Sequence, residues 1–251
     1  MAAHAYIYAA LRAEDVRAVD LPAVANLEAR PACLVRGPVA LMTSPIAEPE
    51  ILPSRRNMLA HTKILEELTR DLPILPFRFG MIARDIDAVE ALLASRAEKM
   101  RATLDDLADK IEVGLRLTFR EDKVFQRLAA DHPELRQRSE SLARRSGAEA
   151  HNGKIALGRD VNERLAQRRA ALATEVSRRL EGFAERRVEH DMREDMAVYH
   201  AALLVRRARE PDLFAEIGRI EAEIGDHVAM TYVSPAPPYH FVSLQIDARV
   251  A

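Results

Sequence analysis

The chain has 251 residues, 48% hydrophobic and 30% charged, which is enough apolar material for one large domain or two small ones with a real core. Lys and Arg number 37 against 39 Asp and Glu, and the net charge of −2 argues against a dedicated nucleic-acid binder, which needs a clustered positive excess. One cysteine excludes an intrachain disulfide and a cysteine-based zinc cluster, and no window reaches the roughly 18 apolar residues of a membrane span, so a soluble protein of a reducing, cytoplasmic setting is expected.

His4 to Leu11 is rich in aromatic and β-branched residues and predicts a first strand. Leu27 to Arg36 and Val39 to Thr43 predict two more, joined as a hairpin by Gly37-Pro38. From Ser54, a plausible N-cap, the spacing turns helical, with Met58, His61, Leu65, Leu68 and Leu72 on one stripe and Pro73 as the stop. Ile74 to Phe79 returns as a strand. A second amphipathic helix carries Ile86, Val89, Leu93, Ala97, Met100, Leu104 and Leu107.

Glu112 to Phe119 alternates with period two, Val113, Leu115, Leu117 and Phe119 on one face and Glu112, Gly114, Arg116 and Thr118 on the other. Short helices broken at His132-Pro133 follow, then a long helix with Val161, Leu165, Leu172, Val176, Leu180 and Phe183 as its apolar side. A hairpin from Arg186 to Val205 turns at residues 191–195, a helix runs from Pro211 to Gly225, and Val228 to Val233 closes the series. The predicted fold is α+β in two lobes. Residues 1–108 form an N-terminal α/β domain, and 109–251 a ferredoxin-like (split βαβ) domain with a helical insertion at about 120–150.

Two proline-bracketed runs stand out. One is Pro73-Ile74-Leu75-Pro76-Phe77-Arg78-Phe79-Gly80, and the other is Ser234-Pro235-Ala236-Pro237-Pro238-Tyr239-His240-Phe241-Val242. Proline fixes its own φ, lacks a donor and restrains its predecessor, so the second run reads as a stiff, bulged sheet edge. With Glu112–Leu117, Gly153–Leu157 and Ala201–Val205 in the same order, the chain resembles the gas vesicle GvpL/GvpF family. It departs from that pattern at Ser234 for a glycine, Ala236 for a tryptophan and His240 for a small polar residue. The resemblance implies α/β domains with a partly coiled-coil helical region and no cofactor. It also implies an accessory or minor structural role in which the protein engages the small hydrophobic shell protein and remains vesicle-associated.

Candidate chemistry is sparse. Arg78 points away from Phe77 and Phe79, either to meet a partner's acidic group or to make an internal ion pair. Pro237, Pro238, Tyr239 and Phe241 either present a rigid ledge to a partner, the two rings sharing a strand face, or supply core packing. The apolar stripes at 86–107 and 161–183 are further candidates for covering the shell protein. His61 is either a packed histidine bonded to a backbone carbonyl or a general base. The turn His190, Asp191, Glu194, Asp195 is a solvated hairpin turn or a cation site. An enzyme on a ferredoxin-like scaffold using His61 or residues 190–195 is therefore the alternative to a binding role. Cys33 reads as a small hydrophobe, no phosphate-binding glycine loop occurs, and RNA binding is weaker still.

Overall fold

A computed structural model describes residues 4–16 and 30–242. Packing divides the chain into two units. One takes the described residues up to Val113, Leu204–Ala208 and those from Val233 on, and the other takes Gly114–Leu203 and Arg209–Tyr232. The chain thus crosses between units four times, where the sequence suggested one cut after residue 108.

In the first unit, β1 (His4–Arg12) is the central strand of a sheet ordered β2-β3-β1-β4, with β2 Ala32–Arg36, β3 Val39–Ile46 and β4 Leu75–Pro76. A second short strand, β5 (Ile82–Ala83), also pairs with β1. The hairpin at Gly37-Pro38 forms as expected, Arg36 opposite Val39, while residues 27–29 of its expected first strand lie outside the described residues. Gly37 has φ +60, a left-handed conformation that glycine adopts without steric cost. A bulge shifts the β1–β3 register between Ile7 and Ala9 and reverses side-chain parity. Tyr6 before it and Tyr8 at it therefore share one core cluster with Ala9 and Leu11 after it.

Helix α1 (Arg55–Asp71) starts where Ser54 predicted: its extended backbone lets Oγ accept from the Asn57 amide at 3.2 Å. Ile64, Leu65 and Leu68 join Tyr6, Tyr8 and Ile46 in the core. Met58, expected on that stripe, is 48% exposed, because Asn57 takes the buried position and donates to the Leu52 carbonyl at 3.0 Å. Helix α2 (Ile86–Asp106) buries Val89, Leu93, Met100 and Leu104, so its expected apolar stripe is core and is unavailable as a docking face; Ile86 is exposed.

The second sheet is ordered β7-β8-β6-β9, with β6 Lys110–Phe119, β7 Ala184–Glu189, β8 Ala197–Arg206 and β9 Val228–Ala236. The expected helices between β6 and β7 appear as α3 (Glu121–Asp131), α4 (Pro133–Ala143) and α5 (Ala148–Leu180), the first pair broken at His132-Pro133. Within the second unit α5 packs on α4 and on α6 (Glu210–Ile224), where Arg179 meets Glu216 at 2.6 Å. Of its expected apolar side Leu165, Val176 and Leu180 are buried, while Phe183 lies past the helix end.

Candidate functional site

The first proline run does not form the expected strand over 74–79. Pro73 and Pro76 have no N–H to give a ladder, so only Leu75–Pro76 pair with β1. The Phe77 amide then donates to the Tyr8 carbonyl at 2.8 Å, and Gly80, at φ +84, turns the chain toward β5. This irregular path leaves the Phe77 carbonyl free of ladder pairing and turned toward α1.

His61, on α1 and 2% exposed, fills that gap. Its Nδ1 lies 2.8 Å from the Tyr6 hydroxyl and its Nε2 3.1 Å from the Phe77 carbonyl. The Gly80 amide donates to the Tyr6 oxygen at 3.2 Å, so the Tyr6 proton is directed at Nδ1, and Nε2 must carry the ring hydrogen that Phe77 accepts. Tyr8 stacks on the imidazole, centroids 5.9 Å apart, and donates to Ser44 Oγ at 3.1 Å. Burial lowers the pKa of His61, opposed by the Phe77 bond, and pushes that of Tyr6 up to about 12. Every polar group here is satisfied with neutral imidazole and protonated phenols. Both nitrogens of His61 are thus taken by protein groups, which suits the packed-histidine reading over the general-base one.

The second proline run closes over this cluster. Strand β9 ends at Ala236, and residues 237–242 are a turn segment, so Tyr239 and Phe241 do not share a strand face as expected. Pro237, Pro238 and Phe241 are buried and seat the segment. Tyr239 is 39% exposed while its hydroxyl donates to the Phe77 carbonyl at 3.1 Å and approaches His61 Nε2 at 3.4 Å. Burial of that hydroxyl raises its pKa.

A second anchor lies one residue on. Glu112, on the face of the alternation opposite Val113 and Leu115, is 3% exposed, and its carboxylate accepts from the His240 amide at 3.1 Å and meets His240 Nδ1 at 2.6 Å. Burial raises the Glu112 pKa and the His240 contacts oppose it. No periodicity argument could find this pair, since its partners are 128 residues apart.

Around these anchors the exposed groups are Arg78, Tyr239 and His240. Arg78 makes no ion pair among the described residues, so the internal-pair reading is not what the structure has. Elsewhere, Glu194 of the acidic turn pairs with Arg116 at 2.6 Å, and no three His, Cys, Asp or Glu side chains among the described residues could hold a metal. Cys33 packs at the edge of the first core, its thiol pKa raised by burial.

The family model described as gas vesicle synthesis protein GvpL/GvpF matches residues 4–243. Gas vesicle protein F of Streptomyces sp. (strain CB03234) is 34% identical over 209 residues, 83% of this chain and 86% of that protein. That of Dolichospermum flosaquae is 26% identical over 77% of this chain and 79% of its own length. Crystal structures of GvpF from Anabaena sp. PCC7120 and Microcystis aeruginosa share the fold, with TM-scores of 0.78 and 0.73 at 20% and 21% identity. Each covers 95% of this chain and 98% of its own.

Proposed function

Because this chain belongs to the gas vesicle synthesis protein GvpL/GvpF family, we propose that it is an accessory or minor structural protein of gas vesicle formation that captures the small hydrophobic shell protein. A shell subunit with a water-excluding face aggregates unless it is covered before assembly. The observation that carries the proposal is the convergence of three resemblance-bearing segments, around Phe77, Glu112 and Tyr239, on one place in the first unit. There, buried Pro237, Pro238 and Phe241 hold the segment while Arg78 and Tyr239 are exposed.

Shell protein and other gas vesicle proteins are the partners in this reading, and the cytoplasm and vesicle surface its location. The strand order β7-β8-β6-β9 supports a ferredoxin-like reading of the second unit, and α5 is the helix on which a coiled-coil contact would form. The enzyme alternative is not favoured: His61 has both nitrogens engaged and the 190–195 turn spends Glu194 on Arg116.

Co-expression with the shell protein followed by size exclusion tests the reading. Wild type is expected to co-elute with shell protein as a soluble complex, and Arg78→Ala, which breaks no internal ion pair, to retain its melting temperature and lose at least about half the captured shell protein. A folded Arg78→Ala that captures as much as wild type removes this surface from the proposal, and a wild type that ignores the shell protein removes the shell protein as partner.

A further inference from the structure

The second unit holds a feature the gas vesicle reading does not use. Between α5 and the β7–β8 hairpin lies a pocket of about 390 Å3. Tyr199, 3% exposed, lines it, and its hydroxyl is a buried side-chain polar atom with no hydrogen-bond partner, the one such atom found among the described residues. Buried polar groups are nearly always paired, so an orphan lining a cavity marks a place where a partner belongs.

Its nearest polar neighbours are engaged with one another. Arg187 Nη1 donates to Ser177 Oγ at 2.7 Å and to the Ser177 carbonyl at 3.1 Å, Ser177 Oγ donates to Glu189 at 3.2 Å, and Arg187 Nε pairs with Glu189 at 3.3 Å. Tyr199 lies toward both side chains without reaching hydrogen-bond geometry. Of the guanidinium, the two Nη2 hydrogens are what it offers a ligand. His190 and His200, ring centroids 4.3 Å apart, line the same pocket. Burial raises the Tyr199 pKa, so the phenol stays a donor.

The pocket therefore presents N–H and O–H donors to whatever enters and calls for an acceptor. Glu181 and Glu189 on its wall disfavour a doubly charged anion, while Ala173 and Met192 offer apolar surface to a short carbon body. We propose that this pocket binds a small monocarboxylate, its oxygens accepting from the Tyr199 hydroxyl and the Arg187 guanidinium and its carbon body lying against Ala173 and Met192.

The test follows the imidazole resonances of His190 and His200 by NMR during titration with butyrate at constant ionic strength, beside the neutral isostere butyramide and sodium chloride. Saturable shifts with butyrate alone are expected. Tyr199→Phe loses no hydrogen bond within the protein, so it should keep its melting temperature and bind butyrate about tenfold more weakly or worse. A capped hexapeptide with one central aspartate distinguishes the source of the carboxylate. Tighter binding than butyrate assigns the pocket to a partner's acidic side chain, and weaker binding assigns it to a free carboxylate. Equal response to butyramide, no saturation with butyrate, or an unaltered response in Tyr199→Phe overturns the proposal.

Discussion

His61 ties sequence to structure at the smallest scale, since one imidazole satisfies Tyr6 and shares the Phe77 carbonyl with Tyr239. Its pKa is depressed by burial, so the unfolded chain takes up a proton near its ordinary 6.5 while the folded chain still resists. The contribution is fully present above that value and is lost as pH falls through the folded pKa. His61→Gln is therefore expected to flatten the loss of urea stability between pH 7.5 and 5.5 by up to about 1.4 kcal/mol per pH unit; an unchanged slope would show that His61 does not titrate with folding. Glu112 has the opposite sign: its raised pKa means stability present below the unfolded value and lost as pH rises through the folded one. Glu112→Gln keeps an acceptor for the His240 amide and should stay within about 1 kcal/mol of wild type at neutral pH, whereas Glu112→Leu orphans that amide and should cost about 1–3 kcal/mol. Urea titrations of both variants, with hydrogen exchange at residues 239–241, measure the difference. Equal stability of the two would mean that the amide is not held by this carboxylate.

Elements with a strong period were legible. The α1 cap at Ser54, the β2–β3 hairpin, the break at His132-Pro133 and the alternation of β6 all follow from local chemistry that the structure reproduces. What failed was long-range. Residues 74–79 read as a strand from their apolar content, yet with two prolines the ladder is confined to Leu75–Pro76. The second run read as a strand edge, and Ser234–Ala236 do end the edge strand β9, yet Pro237 and Pro238 leave the sheet and are buried as a seat. Likewise Arg207, just past β8, donates to the Thr69 and Arg70 carbonyls at 2.7 and 2.9 Å, capping the C-terminal end of α1 from 138 and 137 residues away. Arg207→Ala leaves those carbonyls without that charged donor and is expected to lower stability by about 1–2 kcal/mol, with faster exchange in the last turn of α1. Wild-type exchange there would assign the cap to solvent.

On the scale of the whole chain, the first unit is not a contiguous segment: it recruits residues 204–208 and those from 233 on, and the anchors at Tyr239, His240 and Arg207 are the chemistry of that recruitment. The family resemblance was readable because its segments are short and distinctive. Their convergence was not, because nothing in a linear spacing says that Glu112 meets His240 or that Tyr239 meets Phe77. We propose that this convergence presents the exposed residues Arg78 and Tyr239 to the shell protein. The most direct measurement replaces Arg78 with a photo-crosslinking residue in cells making the shell protein, with the same replacement at exposed Phe214 of the second unit as control. A covalent adduct with the shell protein is expected from position 78 and none from position 214; no adduct at 78, or equal adducts at both, would overturn the docking proposal.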